Sequence, residues 1–173
     1  MKVESFEAVA RTLQGAGVRY LVAGGLAVNA HGYLRLTHDV DLVVKLDAGN
    51  IVSAFAALAS IGYKPLVPIT AEQFANGEMR ARWIAEKGMK VLNFFSDLHR
   101  ETPLDVFVTE PFDFEREAAE CLNAEFSPGF FVPFVSIPTM IAMKGLAARP
   151  RDLDDIQHLR WIQEDLDRRG SDS

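Results

Sequence analysis

Two aspartates separated by a single residue, Asp39 and Asp41, enter an apolar run of Val40, Leu42, Val43 and Val44, and no other stretch restricts the chain as much. The period-two pattern predicts a strand, on which residues two apart project from the same face. The two carboxylates then converge. The chain carries its own control, because Asp-x-Asp recurs at Asp152/Asp154 and Asp165/Asp167. Those pairs fall in segments with helical spacing, where two residues turn the chain by about 200° and the acids diverge. Only the first pair is able to grip one ion. Acids held together raise a pKa unless a cation compensates; the competing reading leaves both in solvent at the start of a strand.

Asp105 is a third acid in an unusual place, interrupting Leu104, Val106, Phe107 and Val108. A charge in a central strand is costly unless it is paired or metal-bound, and harmless on an edge. On a strand neighbouring Asp39 and Asp41 it completes the set that a two-metal centre uses to clamp the attacking and leaving oxygens of an in-line displacement. Hard oxygen ligands, one lone cysteine and no closely spaced His pair favour Mg²⁺ or Mn²⁺ over structural zinc. His31, His38, His99 and His158 lack the His-Glu-x-x-His spacing of a zinc hydrolase and read as structural or surface residues. No dinucleotide fingerprint, phosphate-loop motif or nucleophile elbow is present.

The surrounding text predicts an α+β chain, a small mixed sheet flanked by helices. Val3, Phe6, Val9, Ala10 and Leu13 set a first helix that ends at Gly15 and Gly17. Tyr20–Ala23 is a short strand, and Gly24-Gly25 leads into a helix that stops at Gly32. A helix over 50–61 has Asp47 or Asn50 as its cap, and Thr70 with Gln73 makes a capping box. Residues 91–95 and 104–108 read as two strands, with an antiparallel hairpin as one way to join them. A helix near 113–122 and a strand at 130–135 follow, and Ser136 with Pro138 starts another helix. In a last helix over 151–167, Leu153, Ile156, Leu159, Ile162 and Leu166 are spaced for burial.

One domain over residues 1–167 with a frayed tail at 168–173 accounts for all 173 residues. Cys121 has no disulfide partner and is expected to be buried, which suits a reducing cytoplasm. The amphipathic N-terminus and the lack of a long apolar run point away from secretion and membrane insertion. A net charge of −6 argues against broad, sequence-independent nucleic-acid binding while leaving room for a local basic groove. The runs Arg80, Arg82, Lys87, Lys90 and Lys144, Arg149, Arg151 read first as solvated faces.

The glycine pair has two readings. It is a tight turn, or it lets backbone N–H groups at a helix start approach a phosphate. Gly24-Gly25, thirteen intervening residues, Asp39-Val40-Asp41 and a later Leu104-Asp105-Val106 together resemble the signature of the DNA polymerase β-like nucleotidyltransferase superfamily. The text LVAGGLAVNAHGYLRLTHDVDLVV is most similar to minimal bacterial members, including the AbiEii-type toxin group, and the segment Lys144…Arg149-Pro150-Arg151-Asp152-Leu153-Asp154-Asp155 resembles a second block of that group. Leu26 is a departure, since many members carry Gly-Ser at the glycine pair.

The resemblance implies transfer of a nucleoside monophosphate from an NTP to an acceptor hydroxyl. Asp39, Asp41 and Asp105 would be catalytic and hold Mg²⁺ or Mn²⁺, and Gly24 and Gly25 would cradle phosphates. Lys144 would meet phosphate, with Asp152 and Asp155 ordering the site and Arg35 and Thr37 touching the triphosphate or shaping it. Plainer roles stay open: Lys144 as a snorkelling surface lysine, Asp152 as a first-turn acid, Arg35 as a surface charge. The acceptor is an RNA or tRNA end, a partner protein's side chain or a small antibiotic, with toxin-like RNA modification first. A binding or antitoxin-like regulatory protein with little turnover, or an unrelated α+β module with incidental aspartates, are the readings from other classes.

Overall fold

A computed structural model describes residues 1–171. The elements run α1 (Val3–Gly15), β1 (Tyr20–Val22), α2 (Gly24–Ala30), β2 (Val40–Val44), α3 (Ala48–Ser60), β3 (Tyr63–Pro65), α4 (Ala71–Ala75) and α5 (Gly77–Lys87). They continue as β4 (Val91–Ser96), β5 (Leu104–Phe107), α6 (Phe114–Glu120), β6 (Leu122–Ser127), β7 (Phe130–Phe134), α7 (Ile137–Ala147) and α8 (Pro150–Ser171). The strands form one mixed seven-stranded sheet in the order β3-β4-β5-β2-β1-β7-β6. β2 runs parallel to β5 and antiparallel to β1, and β4 pairs antiparallel with β5 as the hairpin reading expected.

Side-chain alternation decides what each face of this sheet does. Val40 and Leu42 on β2, Leu104 and Val106 on β5, and Leu92 and Phe94 on β4 all point to one face and are buried. α1 and α3 cover that face, with Phe6 near Phe134 and Phe55 edge-on to Phe94 at 5.2 Å between ring centroids. On the other face the β1 and β2 residues Leu21 and Val43 are buried, and α2, α7 and α8 lie on that side, α2 packing on β2 and α7 on both α2 and α8. β5, β4 and β3 keep this second face toward solvent at Asp105, Asn93, Phe95 and Lys64.

Local chemistry sets the element ends. Asp47 accepts a hydrogen bond from Asn50 N to cap α3, and Thr70 with Gln73 closes a capping box on α4. Two strands, β3 and β6, and the helix α5 go beyond the sequence expectation; α5 buries none of its residues, so no hydrophobic stripe announces it. In α8, Ile156 and Leu159 are buried, but Leu153 and Leu166 are 57% and 55% exposed. α8 packs on α7, and only part of its apolar spacing meets the core. The helix also continues to Ser171, with Asp165 pairing to Arg168 and Arg169 at i+3 and i+4, where a frayed end was expected from 168. Positions 172–173 of the expected tail lie outside the described residues. Cys121 is half-buried where full burial was expected, because it caps α6 at the sheet margin. Among the described residues no helix is long and apolar enough to cross a membrane.

Leu42 stands on the core side of β2, between Asp41 and Val43 on the opposite side. Leu42→Ala should lower the unfolding free energy by about 2–5 kcal/mol through lost burial and a residual cavity, read as a shift in urea midpoint at unchanged slope.

Candidate functional site

The three aspartates singled out in the sequence are brought together by strand register. Asp41 and Asp105 are Cα partners across the parallel β2/β5 pair, so their side chains leave the same sheet face side by side. Asp39, two residues before Asp41, leaves that face one pleat away, just before β2 begins. Burial and then the charges of Asp39 and Asp105 push the Asp41 carboxyl up to about 7, against the pull of Lys144 and Arg149. Asp105 is also held above the usual carboxylate range, by burial first and by Asp39, while a hydrogen bond from Asn93 opposes the rise.

The glycine pair acts on these acids directly. Gly24 has φ +62°, and a Cβ there would fall 1.7 Å from Asp41 Oδ2. Glycine is therefore required twice, for the left-handed backbone and for the space Asp41 fills. A Cβ on Gly25 would meet Thr37 Oγ1 at 2.7 Å and Arg35 Nη1 at 3.0 Å. The strand-to-helix turn is thus a close-packed wall of the site, against which Asp41, Thr37 and Arg35 rest. The Ala23 N–H donates to the Asp41 carbonyl at 2.9 Å and holds β2 to that wall. The Thr37 hydroxyl donates to the Asp39 carbonyl at 3.2 Å, which fixes the approach to the first acid.

Behind the three aspartates lies an ion network built on buried acids. Asp155, fully buried, receives Arg35 in a two-pronged contact, Nε to Oδ1 at 2.7 Å and Nη2 to Oδ2 at 2.8 Å. The Lys144 ammonium donates to Asp155 Oδ2 at 2.6 Å and lies 3.4 Å from Asp152 Oδ1. Arg149 Nε donates to Asp152 Oδ2 at 2.7 Å. Burial would raise Asp152, but Arg149 and Lys144 outweigh it and leave that carboxyl below its ordinary range. Tyr33 adds a further tie, its ring stacked on His158 at 3.7 Å and its hydroxyl donating to Asp154.

Every candidate residue from the sequence thus falls in one region, but with a division of labour that spacing alone does not reveal. Lys144 is a buried lysine with carboxylate partners, not a surface one. Arg35 ties the segment before β2 to α8. His38 is exposed beside Asp39. Asn93, whose amide donates to Asp105 Oδ1 at 2.7 Å, was missed; its only signal was the cross-strand register of a hairpin whose pairing the sequence leaves open.

The donor set suits a divalent cation of the hard, oxygen-seeking kind. Among the described residues no group of three or more His, Cys, Asp or Glu side chains is arranged to hold a metal ion by itself. Mg²⁺-type ions are commonly held by one or two carboxylates, with phosphate and water completing the shell, and Asp41 and Asp105, side by side with Asp39 a pleat away, fit such a partial set.

Removing one partner of a buried pair strands the others. Asp155→Ala should therefore lower stability by about 3–5 kcal/mol, whereas exposed Asp154→Ala should cost under about 1 kcal/mol; chemical denaturation of both variants against the parent measures the difference.

Solved structures share this architecture. The lincosamide antibiotic adenylyltransferase LnuA superposes with a TM-score of 0.61 at 16% identity, covering 92% of this chain and 96% of LnuA. The antibiotic-resistance factor ANT(2'')-Ia gives 0.59 at 14% identity over 95% of this chain and 83% of its own. The Thermotoga maritima protein TM1012 gives 0.54 at 12% identity over 93% and 92%. At these identities the likeness is one of fold. No protein of curated function matches the sequence. Residues 9–169, nearly the whole chain, match the family described as nucleotidyl transferase AbiEii toxin of the type IV toxin–antitoxin systems, and the chain belongs to that nucleotidyltransferase family.

Proposed function

We propose that this nucleotidyltransferase moves a nucleoside monophosphate from an NTP to a hydroxyl at the end of an RNA or tRNA, with Asp39, Asp41 and Asp105 as the catalytic, metal-holding acids. The reading rests on one observation: two acids in direct register on adjacent strands, with a third a pleat away, on a sheet face that becomes exposed past β5 at Asn93 and Phe95. Burial and acidic neighbours raise the Asp41 and Asp105 carboxyls, and a protein that needed only a scaffold gains nothing from such crowding. Nucleotidyltransferases of this fold work with a divalent metal, here Mg²⁺ or Mn²⁺. When bound, that metal offsets charge on the phosphates and favours departure of pyrophosphate.

The chain's own residues supply the rest. Asp105, its carboxyl raised by burial and by Asp39 and held in place by Asn93, takes the proton of the acceptor hydroxyl. The freed oxygen forms a bond to the α-phosphorus, the bond from that phosphorus to the bridging oxygen breaks, and pyrophosphate leaves. Gly24 and Gly25 give the triphosphate a wall without side chains to approach. Lys144 and Arg149 contribute positive charge that reaches Asp41, and Arg35 and Thr37 keep the segment before β2 in place. Positioning and fixed electrostatics supply most of the rate. A small antibiotic is the alternative acceptor, favoured by the fold shared with LnuA and ANT(2'')-Ia.

Asp41→Ala should abolish metal-dependent transfer of labelled NMP to RNA, a loss of at least about a thousandfold, with circular dichroism unchanged; turnover equal to the parent rules the mechanism out. A pH experiment isolates the electrostatics. The folded Asp41 carboxyl stands near 7, above its ordinary 3.8, so its charged form destabilises the fold above pH 7. That burden lifts as pH falls from 7 toward 3.8. In chelator, Asp41→Asn should thus stabilise by about 1–3 kcal/mol at pH 8 and by much less at pH 5, measured by urea unfolding. Added divalent metal should shrink the gain at pH 8 by stabilising the parent alone.

A further inference from the structure

The open sheet face does not end at Asp105. Asn93 is the Cα partner of Asp105 on β4, and Phe95, two residues on, shares its face and is 40% exposed. Phe95 is in turn the Cα partner of Lys64 on β3, which is exposed. The Leu66 N–H donates to the Asn93 carbonyl at 2.8 Å and carries the pairing one residue further, which sets Leu66, 64% exposed, beside Asn93. The opposite side of the same strands, Tyr63, Leu92 and Phe94, is buried. The exposure of Phe95 and Leu66 is therefore a property of one face and not of a loose edge.

From this register, and on the reading of the site given above, the geometry points to the β4/β3 face as the acceptor platform. A base of a single-stranded nucleic-acid end stacks on Phe95, Lys64 meets its phosphate, and the terminal hydroxyl lies at Asp105. Strand spacing and rise put Phe95 about 8 Å from Asp105 between α-carbons, near enough for one nucleotide to bridge them. Aromatic rings on sheet faces with a cation alongside bind single strands in this manner, because every base offers a π face. Charge agrees locally: no ion pair ties down Lys64 among the described residues. Asn93 has a double position here, a positioning residue that holds Asp105 at one end and borders the platform at the other.

The test uses the full chain, labelled NTP with divalent metal, and a single-stranded RNA oligonucleotide ending in free hydroxyls, with lincosamide and aminoglycoside acceptors run alongside. Phe95→Ala should raise the KM for RNA about tenfold, move the KM for NTP less than about twofold, and be restored by Phe95→Trp. Lys64→Glu, at a surface position, should weaken RNA use and reduce its salt dependence. RNA KM values within twofold of the parent for both Phe95→Ala and Lys64→Glu overturn the platform while transfer itself stands. Label carried by the parent to an antibiotic and not to RNA overturns the platform and the RNA acceptor together. No label transfer by the parent to any acceptor overturns the catalytic reading first, and the platform with it.

Discussion

The arrangement depends on electrostatic repulsion that the fold forces and then contains. β2 and β5 lie parallel and in register, so Asp41 and Asp105 have nowhere to go but side by side. Gly24 then presses the turn before α2 against Asp41, close enough that no other residue fits. Each of these contacts raises the free energy of the charged site relative to an apolar one. The strain is tolerated because the core side of the same strands, Val40, Leu42, Leu104 and Val106, is buried almost completely. One side of β2 and β5 stabilises the sheet, and the other carries the charge at Asp39, Asp41 and Asp105.

Containment comes from α7 and α8. Lys144 and Arg149 lower the Asp41 carboxyl from where burial and its acidic neighbours would otherwise leave it. These cations would repel each other and Arg35 if left alone, and Asp152 and Asp155 compensate them. A buried pair of this type is weak evidence of added stability. Its value is geometric: Asp155 joins the segment before β2 to α8 through Arg35, and to α7 through Lys144. Three separate stretches of chain are thereby fixed relative to the acids.

How much of this was legible beforehand follows from the range of each signal. Period two around Asp39 and Asp41 is a local property, and so is the capping box at Thr70, so both read directly from the text. That Asp105 joins the pair depends on a strand order in which β5, not β4, neighbours β2; the resemblance to known nucleotidyltransferases, not periodicity, carried that step. Asn93 and the exposed face of β4 and β3 depend on register between strands, which no single stretch encodes. α5 escaped for a different reason, since a helix that buries nothing lacks the apolar stripe that marks helices in sequence. Leu153 and Leu166 misled in the opposite sense: helical spacing predicts a face, but only packing decides whether that face is covered.

The roles of Arg35 and Lys144 show where motif reasoning and geometry meet. As isolated cations beside a glycine turn, both invite assignment to a phosphate. Their carboxylate partners change the argument, because a cation already held at 2.6–2.8 Å by a buried acid offers its remaining positive field more readily than its hydrogen bonds. An incoming triphosphate adds negative charge to a region where Asp39, Asp41 and Asp105 already crowd together, and field from a fixed, neutralised network acts without either side chain having to move. Preorganisation of this kind costs nothing at the moment of reaction. On the function proposed above, the second sequence block, from Lys144 to Asp155, serves the first by holding charge still, and its aspartates matter as much as its lysine.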